Sequence, residues 1–184
     1  EGIHSRTDFD LKNHQEHSGK KLQYFDPETN ESYVPYVVET SIGLDRTFLL
    51  VLSSAYTEEK LTKEDGTIDE RVVLKIPAAL APVKLAIFPL VKKDGLPEMA
   101  RKIMDDLKYD FTCQYEEKDT IGKRYRRHDA IGTPFCITVD HQTLDDETVT
   151  IRYRDSMEQD RVPASKLREI MGEKVSLTNL LKQV

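Results

Sequence analysis

Cysteine is scarce: Cys113 and Cys136 occur in 184 residues, and neither has a C-x-x-C partner. That spacing supports neither a disulfide framework nor a cysteine-built zinc site. Both lie in strand-like runs and are expected as packed, reduced thiols, which fits a cytosolic protein. Long apolar runs are missing too; none reaches the roughly 20 residues of a membrane-spanning helix. The chain lacks an initiator methionine and a basic–apolar–small leader layout. It opens on Glu1-Gly2-Ile3, which reads as the interior of a longer polypeptide. No Walker loop, no G-x-G-x-x-G fingerprint and no Ser–His–Asp order occurs, so a self-contained hydrolase or dehydrogenase is not supported.

What is present describes a globular protein, 33% charged and 38% hydrophobic, with length enough for one good core, or one domain and an appendage. The formal net charge is −6. Residues 1–76 carry 9 Lys and Arg against 15 Asp and Glu, whereas residues 77–184 carry 18 of each. Net charge alone therefore does not suggest a nucleic-acid binder. His4, His14 and His17 lie in a polar opening segment, but their spacing matches no standard metal-ligand set, and they are expected as exposed loop residues.

Along the chain, Tyr33–Glu39 reads as a strand, with Pro35 marking an edge or bulge. Gly43 reads as a turn, Asp45 as a helix cap, and Thr47–Tyr56 as an apolar helix. Thr57–Arg71 is dense in charge and reads as a solvated connector or hairpin tip. The Pro-Ala-rich stretch from Ile76 to Pro82 marks a boundary. Beyond it, Val83–Val91 reads as a buried strand. A helix with Pro97 in its first turn follows, with Met99, Ala100, Ile103, Met104 and Leu107 on its apolar face. Tyr109–Tyr115 reads as a second strand, and a helix from Thr120 to Ile131 is stopped by Gly132. Pro134–Val139 and Thr148–Tyr153 are further strands, Pro163 opens a helix, and Ser176 caps a short last one. This order predicts an α/β fold, a mixed and mostly parallel sheet covered by helices.

Three constellations carry chemistry. Arg46, at the mouth of an apolar segment, pairs with Asp45 or another carboxylate, or else its planar guanidinium clamps a phosphate; Gly43 would let a ligand approach the backbone. Glu39 and Ser41 share one side of an extended stretch, either as a seat for an ammonium group or as an exposed strand end. Lys123-Arg124-Tyr125-Arg126-Arg127 sets four cations and one ring near a helix N-terminus, where positive charge is mildly unfavourable. It is either a solvated face or a surface for RNA phosphates and a stacked base.

The stretch "YVVETSIGLDRTFLLVL" resembles motif 3 of a class II aminoacyl-tRNA synthetase, and its Glu-x-Ser-x-Gly-x-Asp-Arg form is similar to that of the glycyl-tRNA synthetases. Upstream, "EGIHSRTDFDLKNH" resembles another stretch of that family. Downstream, "LAPVKLAIFPLVKKDGLPEMARKIMDDL" and "IGKRYRRHDAIGTPFCITVD" resemble the anticodon-binding domain shared by the glycyl, histidyl, prolyl and threonyl enzymes. The resemblance implies that residues 1–76 are a strand-turn-helix remnant of an antiparallel catalytic domain, and 77–184 an anticodon-binding domain.

The resemblance also implies roles. Arg46 would be the catalytic residue on the ATP triphosphate, with Gly43, Leu44 and Asp45 shaping the adenylate pocket. Glu39 would hold the glycine ammonium and Ser41 crowd its α-carbon, with Thr40, Ile42 and Gly43 alongside. Thr40 stands where many relatives have proline, and His4 and Ser5 depart from the commoner residues beside Arg6. The implied substrates and partners are glycine, ATP with Mg2+, tRNA-Gly and a second copy in a homodimer. Motifs 1 and 2 are absent from this sequence, so this polypeptide alone is expected not to form glycyl-adenylate. For the anticodon, charge and placement rather than any family motif nominate Lys123, Arg124, Arg126, Arg127, Arg152 and Arg154, with Phe111 and Tyr125 as stacking rings. The competing reading is a non-catalytic RNA- or protein-binding module built on the same domain.

Overall fold

In the computed structural model, residues 1–62 and 66–182 are described. Packing divides the chain into two compact units, Glu1–Leu50 and Val51–Val184.

The first unit holds β1 (Gly2–Thr7), α1 (Phe9–Ser18), the short hairpin β2 (Tyr24–Asp26) and β3 (Glu31–Tyr33), β4 (Val37–Ser41), and the start of α2 (Leu44–Ala55). Strands β1 and β4 pair antiparallel, from Gly2 opposite Ser41 to Thr7 opposite Val37, with a bulge at Arg6. The opening histidines are corrected here: His4 lies in β1, and His14 and His17 lie in α1. The strand expected over Tyr33–Glu39 is broken, because β3 ends at Tyr33 and β4 begins at Val37. Pro35 stands in the gap, where it has no N–H to give a ladder. No residue from Glu1 to Leu50 is buried; Ile3, Phe9, Val38, Ile42, Leu44 and Phe48 are all exposed.

The second unit opens with hairpin β5 (Tyr56–Thr62) and β6 (Ile68–Leu74), in register from Tyr56 opposite Leu74 to Thr62 opposite Ile68. Of the connector or hairpin expected over Thr57–Arg71, it is the hairpin that forms; residues 63–65 lie outside the described residues. There follow β7 (Leu85–Pro89), α3 (Leu96–Leu107), β8 (Cys113–Tyr115), α4 (Ile121–Ala130), β9 (Phe135–Val139), α5 (His141–Asp146), β10 (Thr148–Tyr153), β11 (Gln159–Pro163), a 3-10 turn at Ala164–Lys166, α6 (Leu167–Lys174) and α7 (Leu177–Leu181).

The sheet order is β11-β10-β9-β7-β8. Strand β7 is parallel to β8 and β9, and β10 is antiparallel to β9 and β11, so β10 alone of the five runs against the rest. The mixed, mostly parallel sheet expected from the sequence is the one found. Every residue of β7 and β9 is buried, as parallel strands covered on both faces must be. On one face Leu85, Ile87, Ile137 and Val139 pack with Ala100, Ile103 and Leu107 of α3 and Leu167 and Met171 of α6. On the other, Ala86, Phe88 and Cys136 meet Ile121 and Tyr125 of α4. Strand β11 and helix α5 escape a sequence reading: α5 is only six residues long and is set by an Asp140–Thr143 capping box. Pro163 closes β11 and, as expected, opens the helical stretch after it, capping the 3-10 turn that runs into α6. No described helix is long and apolar enough to cross a membrane.

Packing divides the chain before the Pro-Ala stretch because β6 is tied to α4. The turn after α4 places Gly132 at φ 82°, where an added Cβ would stand 3.2 Å from the Leu74 carbonyl oxygen and 3.2 Å from Ile76 Cδ1. Gly132→Ala is therefore expected to lower stability by about 1–3 kcal/mol, read as a lower urea midpoint with an unchanged m-value.

Candidate substrate cleft and RNA-facing helix

The cleft of the first unit is built at one end of the β1–β4 ribbon. Side chains alternate across an extended strand, so Glu39 and Ser41 share a face with their register partners His4 and Gly2. Gly2 is opposite Ser41, and a Cβ on it would come within 3.1 Å of Ser41 Oγ. Past Ser41 the chain turns through Ile42 and Gly43 into α2. The Gly43 carbonyl accepts bonds from both the backbone N–H and Oγ1 of Thr47, each at 3.0 Å. Gly43 therefore holds the cap position, and Asp45, expected there, sits inside the first turn. An anionic residue in that turn is favoured by the helix dipole.

A cavity of about 360 Å³ lies here, lined in part by Gly2, Ser41, Ile42, Gly43 and Arg46. Arg46 is exposed and, among the described residues, meets no carboxylate within ion-pair distance. Glu39 lies one step along the same strand face, with its Oε2 3.5 Å from Arg6 Nε. Arg6 is held in turn by Asp10, at 2.8 and 3.2 Å. Those bonds raise the Arg6 pKa and lower that of Asp10. Thr40 falls on the opposite strand face with Ile3, and Leu44 is 82% exposed. The structure thus gathers Ser41, Ile42, Gly43 and Arg46, with Glu39 adjacent, and leaves Thr40 and Leu44 outside the cleft lining. Among the described residues no group of three or more His, Cys, Asp or Glu is arranged to hold a metal ion.

The basic run on α4 is corrected in several positions. Arg124 is buried, its guanidinium donating to the carbonyls of Pro89 at 2.6 Å, Leu90 at 3.2 Å and Glu116 at 3.3 Å; burial lowers its pKa. Arg152 is buried against Asp129, with bonds of 2.8 and 3.0 Å. Arg154 is buried as well, donating to the Gly132 carbonyl at 2.8 Å and to Asp155. Phe111 belongs to the core. Tyr125 lies against Phe88, bonded to Thr138 Oγ1 at 2.7 Å, with Arg152 4.7 Å from its ring centre. Four of these five are buried, and Tyr125 is half-buried with its hydroxyl already bonded. The physical reason is that each cation meets a carbonyl or carboxylate, which makes its burial tolerable.

Three members of the run reach the surface. Lys123 is exposed. Arg126 pairs with Asp69 of β6. Arg127 pairs with Glu116 at 2.5 Å and Asp119 at 2.9 Å. The sequence carried a signal for this neutralisation in the equal counts of acids and bases after residue 76. Sequence reasoning passed over the end of β8, where Tyr115, Glu117 and Arg101 come together: Arg101 Cζ lies 4.7 Å from the Tyr115 ring centre and its Nη2 3.5 Å from Glu117 Oε2.

The family described as "Anticodon binding domain" matches residues 84–174, the span of the five-stranded sheet and its helices. A glycine–tRNA ligase from Chlorobaculum tepidum is 54% identical over 175 residues, 95% of this chain. The chain belongs with the glycine–tRNA ligases. A second member, from Treponema denticola, is 49% identical over 91% of the chain. The chain spans only about 36% and 37% of these two ligases' own lengths. In fold it is similar to a prolyl-tRNA synthetase from Cryptosporidium parvum, with a TM-score of 0.52 at 18% identity, covering 67% of this chain and 32% of that one.

Proposed function

We propose that this chain is part of a glycine–tRNA ligase, an enzyme that activates glycine with ATP and transfers it to tRNA-Gly. Residues 77–184 provide anticodon recognition, and residues 1–76 provide the end of the catalytic domain. The observation that carries this reading is Arg46, an exposed guanidinium that meets no carboxylate among the described residues, lining a cleft with Ser41 and Gly43 inside a sequence half identical to such ligases.

The chemistry follows from the side chains. Arg46 offers a planar fork to the ATP triphosphate and offsets charge on it. Glu39 accepts from the glycine ammonium, with Arg6 Nε 3.5 Å from its Oε2 to orient it. Ser41 and Ile42 leave no room for a side chain on the amino acid. That exclusion supplies selectivity for a substrate with nothing else to grip. This chain by itself is expected to form no glycyl-adenylate, and glycine-dependent ATP–pyrophosphate exchange by the isolated polypeptide would count against that. The full ligase is expected to work as a homodimer, with Mg2+ accompanying ATP.

RNA binding separates this reading from an unrelated nucleotide-binding α/β protein. The chain is expected to bind tRNA-Gly at least about tenfold more tightly than an unrelated tRNA at equal salt. Equal affinity for the two would count against it. Retention of the Glu39, Ser41 and Arg46 set favours the ligase over a non-catalytic module, which has no use for an ATP and glycine pocket.

A further inference from the structure

His4 lines the same cavity as Ser41, Gly43 and Arg46. It stands on β1 directly across from Glu39, but the two side chains lean apart. The Glu39 carboxylate is drawn toward Arg6, whereas the His4 ring folds along β1 toward Gly2. A Cβ on Gly2 would stand 2.7 Å from His4 Nε2 and 3.1 Å from Ser41 Oγ. The imidazole tip and the hydroxyl therefore border one gap, held open because residue 2 has no side chain. His4 and Ser41 are both exposed, so a ligand in the cleft can reach them. Among the described residues neither ring nitrogen of His4 makes a hydrogen bond, and Ser41 Oγ makes none either. No bond at Nδ1 fixes the tautomer that would strip Nε2 of its proton.

We propose that His4 is a further substrate-binding residue, its Nε2–H holding the carboxylate of glycine together with the Ser41 hydroxyl. The proposal rests on the glycine and ATP reading of this cleft and adds the contact for the end of glycine that reacts. Along the strand face the ammonium seat at Glu39 comes first and the triphosphate clamp at Arg46 last. Ser41 and the tip of His4 stand between them. The carboxylate of glycine has to lie in that interval, between its own ammonium and the phosphorus it attacks. An imidazole N–H and a hydroxyl are donors, and a carboxylate oxygen accepts from two at once. Both can meet one oxygen, which leaves the other to attack the α-phosphorus as pyrophosphate departs. Glycine has no side chain to anchor it, so its orientation must come from its charged ends. Glu39 takes one end and His4 the other.

The test uses a glycine–tRNA ligase that carries this sequence and reads glycine-dependent ATP–pyrophosphate exchange. His4→Ala is expected to raise KM for glycine about tenfold while KM for ATP stays within about twofold. The melting temperature should stay within about two degrees of wild type, because the side chain removed is exposed. His4→Gln keeps an N–H at similar reach and is expected to bring KM for glycine back to within about threefold of wild type. Ethanolamine, an amine without a carboxylate, is then measured as an inhibitor competing with glycine. Its inhibition constant is expected to be the same in wild type and His4→Ala. An unchanged KM for glycine in His4→Ala overturns the carboxylate contact and leaves the glycine and ATP reading standing. So does a loss that falls on KM for ATP, or an ethanolamine constant that rises in step with KM for glycine. A wild-type ligase without glycine-dependent exchange overturns both.

Discussion

Arg46→Ala, made in a glycine–tRNA ligase that carries this sequence, is expected to lower kcat/KM for glycine-dependent ATP–pyrophosphate exchange by roughly 100- to 1000-fold, the usual loss when one fixed charge-stabilising donor is removed. The structure sharpens the expectation. Arg46 stands exposed at the first turn of α2 and pairs with no described carboxylate, so its removal breaks nothing in the fold. The melting temperature should not move. Arg46→Lys restores the charge but not the planar two-pronged donor, and is expected to recover only a small part of the activity. Were Arg46 a structural helix-start residue instead, the pattern would invert: stability would fall and exchange would persist.

The second large effect is on stability. Asp129 accepts from Arg152 through both oxygens and from Arg71 Nη1 at 3.0 Å, and is completely buried. Arg71 is held further by Glu59 at 2.6 Å and by the Arg154 carbonyl at 3.2 Å. One carboxylate on α4 thus joins β6 to β10. Asp129→Ala leaves two interior guanidiniums short of their counter-charge and is expected to cost about 3–5 kcal/mol, measured by urea denaturation. Asp155→Ala removes a partner of Arg154 that is 59% exposed, and its effect should stay below about 1 kcal/mol. Similar losses in the two variants would mean that the interior cluster is not what clamps the hairpin.

The sheet of the second unit was legible because its strands obey local rules. Leu85–Pro89 and Phe135–Val139 are continuous apolar runs, and Pro97 and Gly132 punctuate the helices beside them. Strand β11 was not legible, since Gln159-Asp160-Arg161 carries no apolar period and gains its place only by pairing with β10. The cleft residues were read from an ordered motif, and the strand-turn-helix that presents Arg46 follows from that order. The basic run misled for a different reason. A helical wheel counts charges but cannot say which acids from elsewhere in the chain will meet them. Asp69 reaches Arg126 from a distant hairpin, Glu116 and Asp119 fold back from the turn before the helix onto Arg127, and Arg124 turns inward to strand-end carbonyls.

The bare apolar skin of residues 1–50 has a practical consequence. A surface carrying Ile3, Phe9, Val38, Leu44 and Phe48 in open water attracts hydrophobic dyes and its own copies. Preparations of this polypeptide should fluoresce with such a probe and sediment faster as concentration rises. Val51–Val184, whose oily residues are mostly tucked between helices and sheet, should show much less of either behaviour.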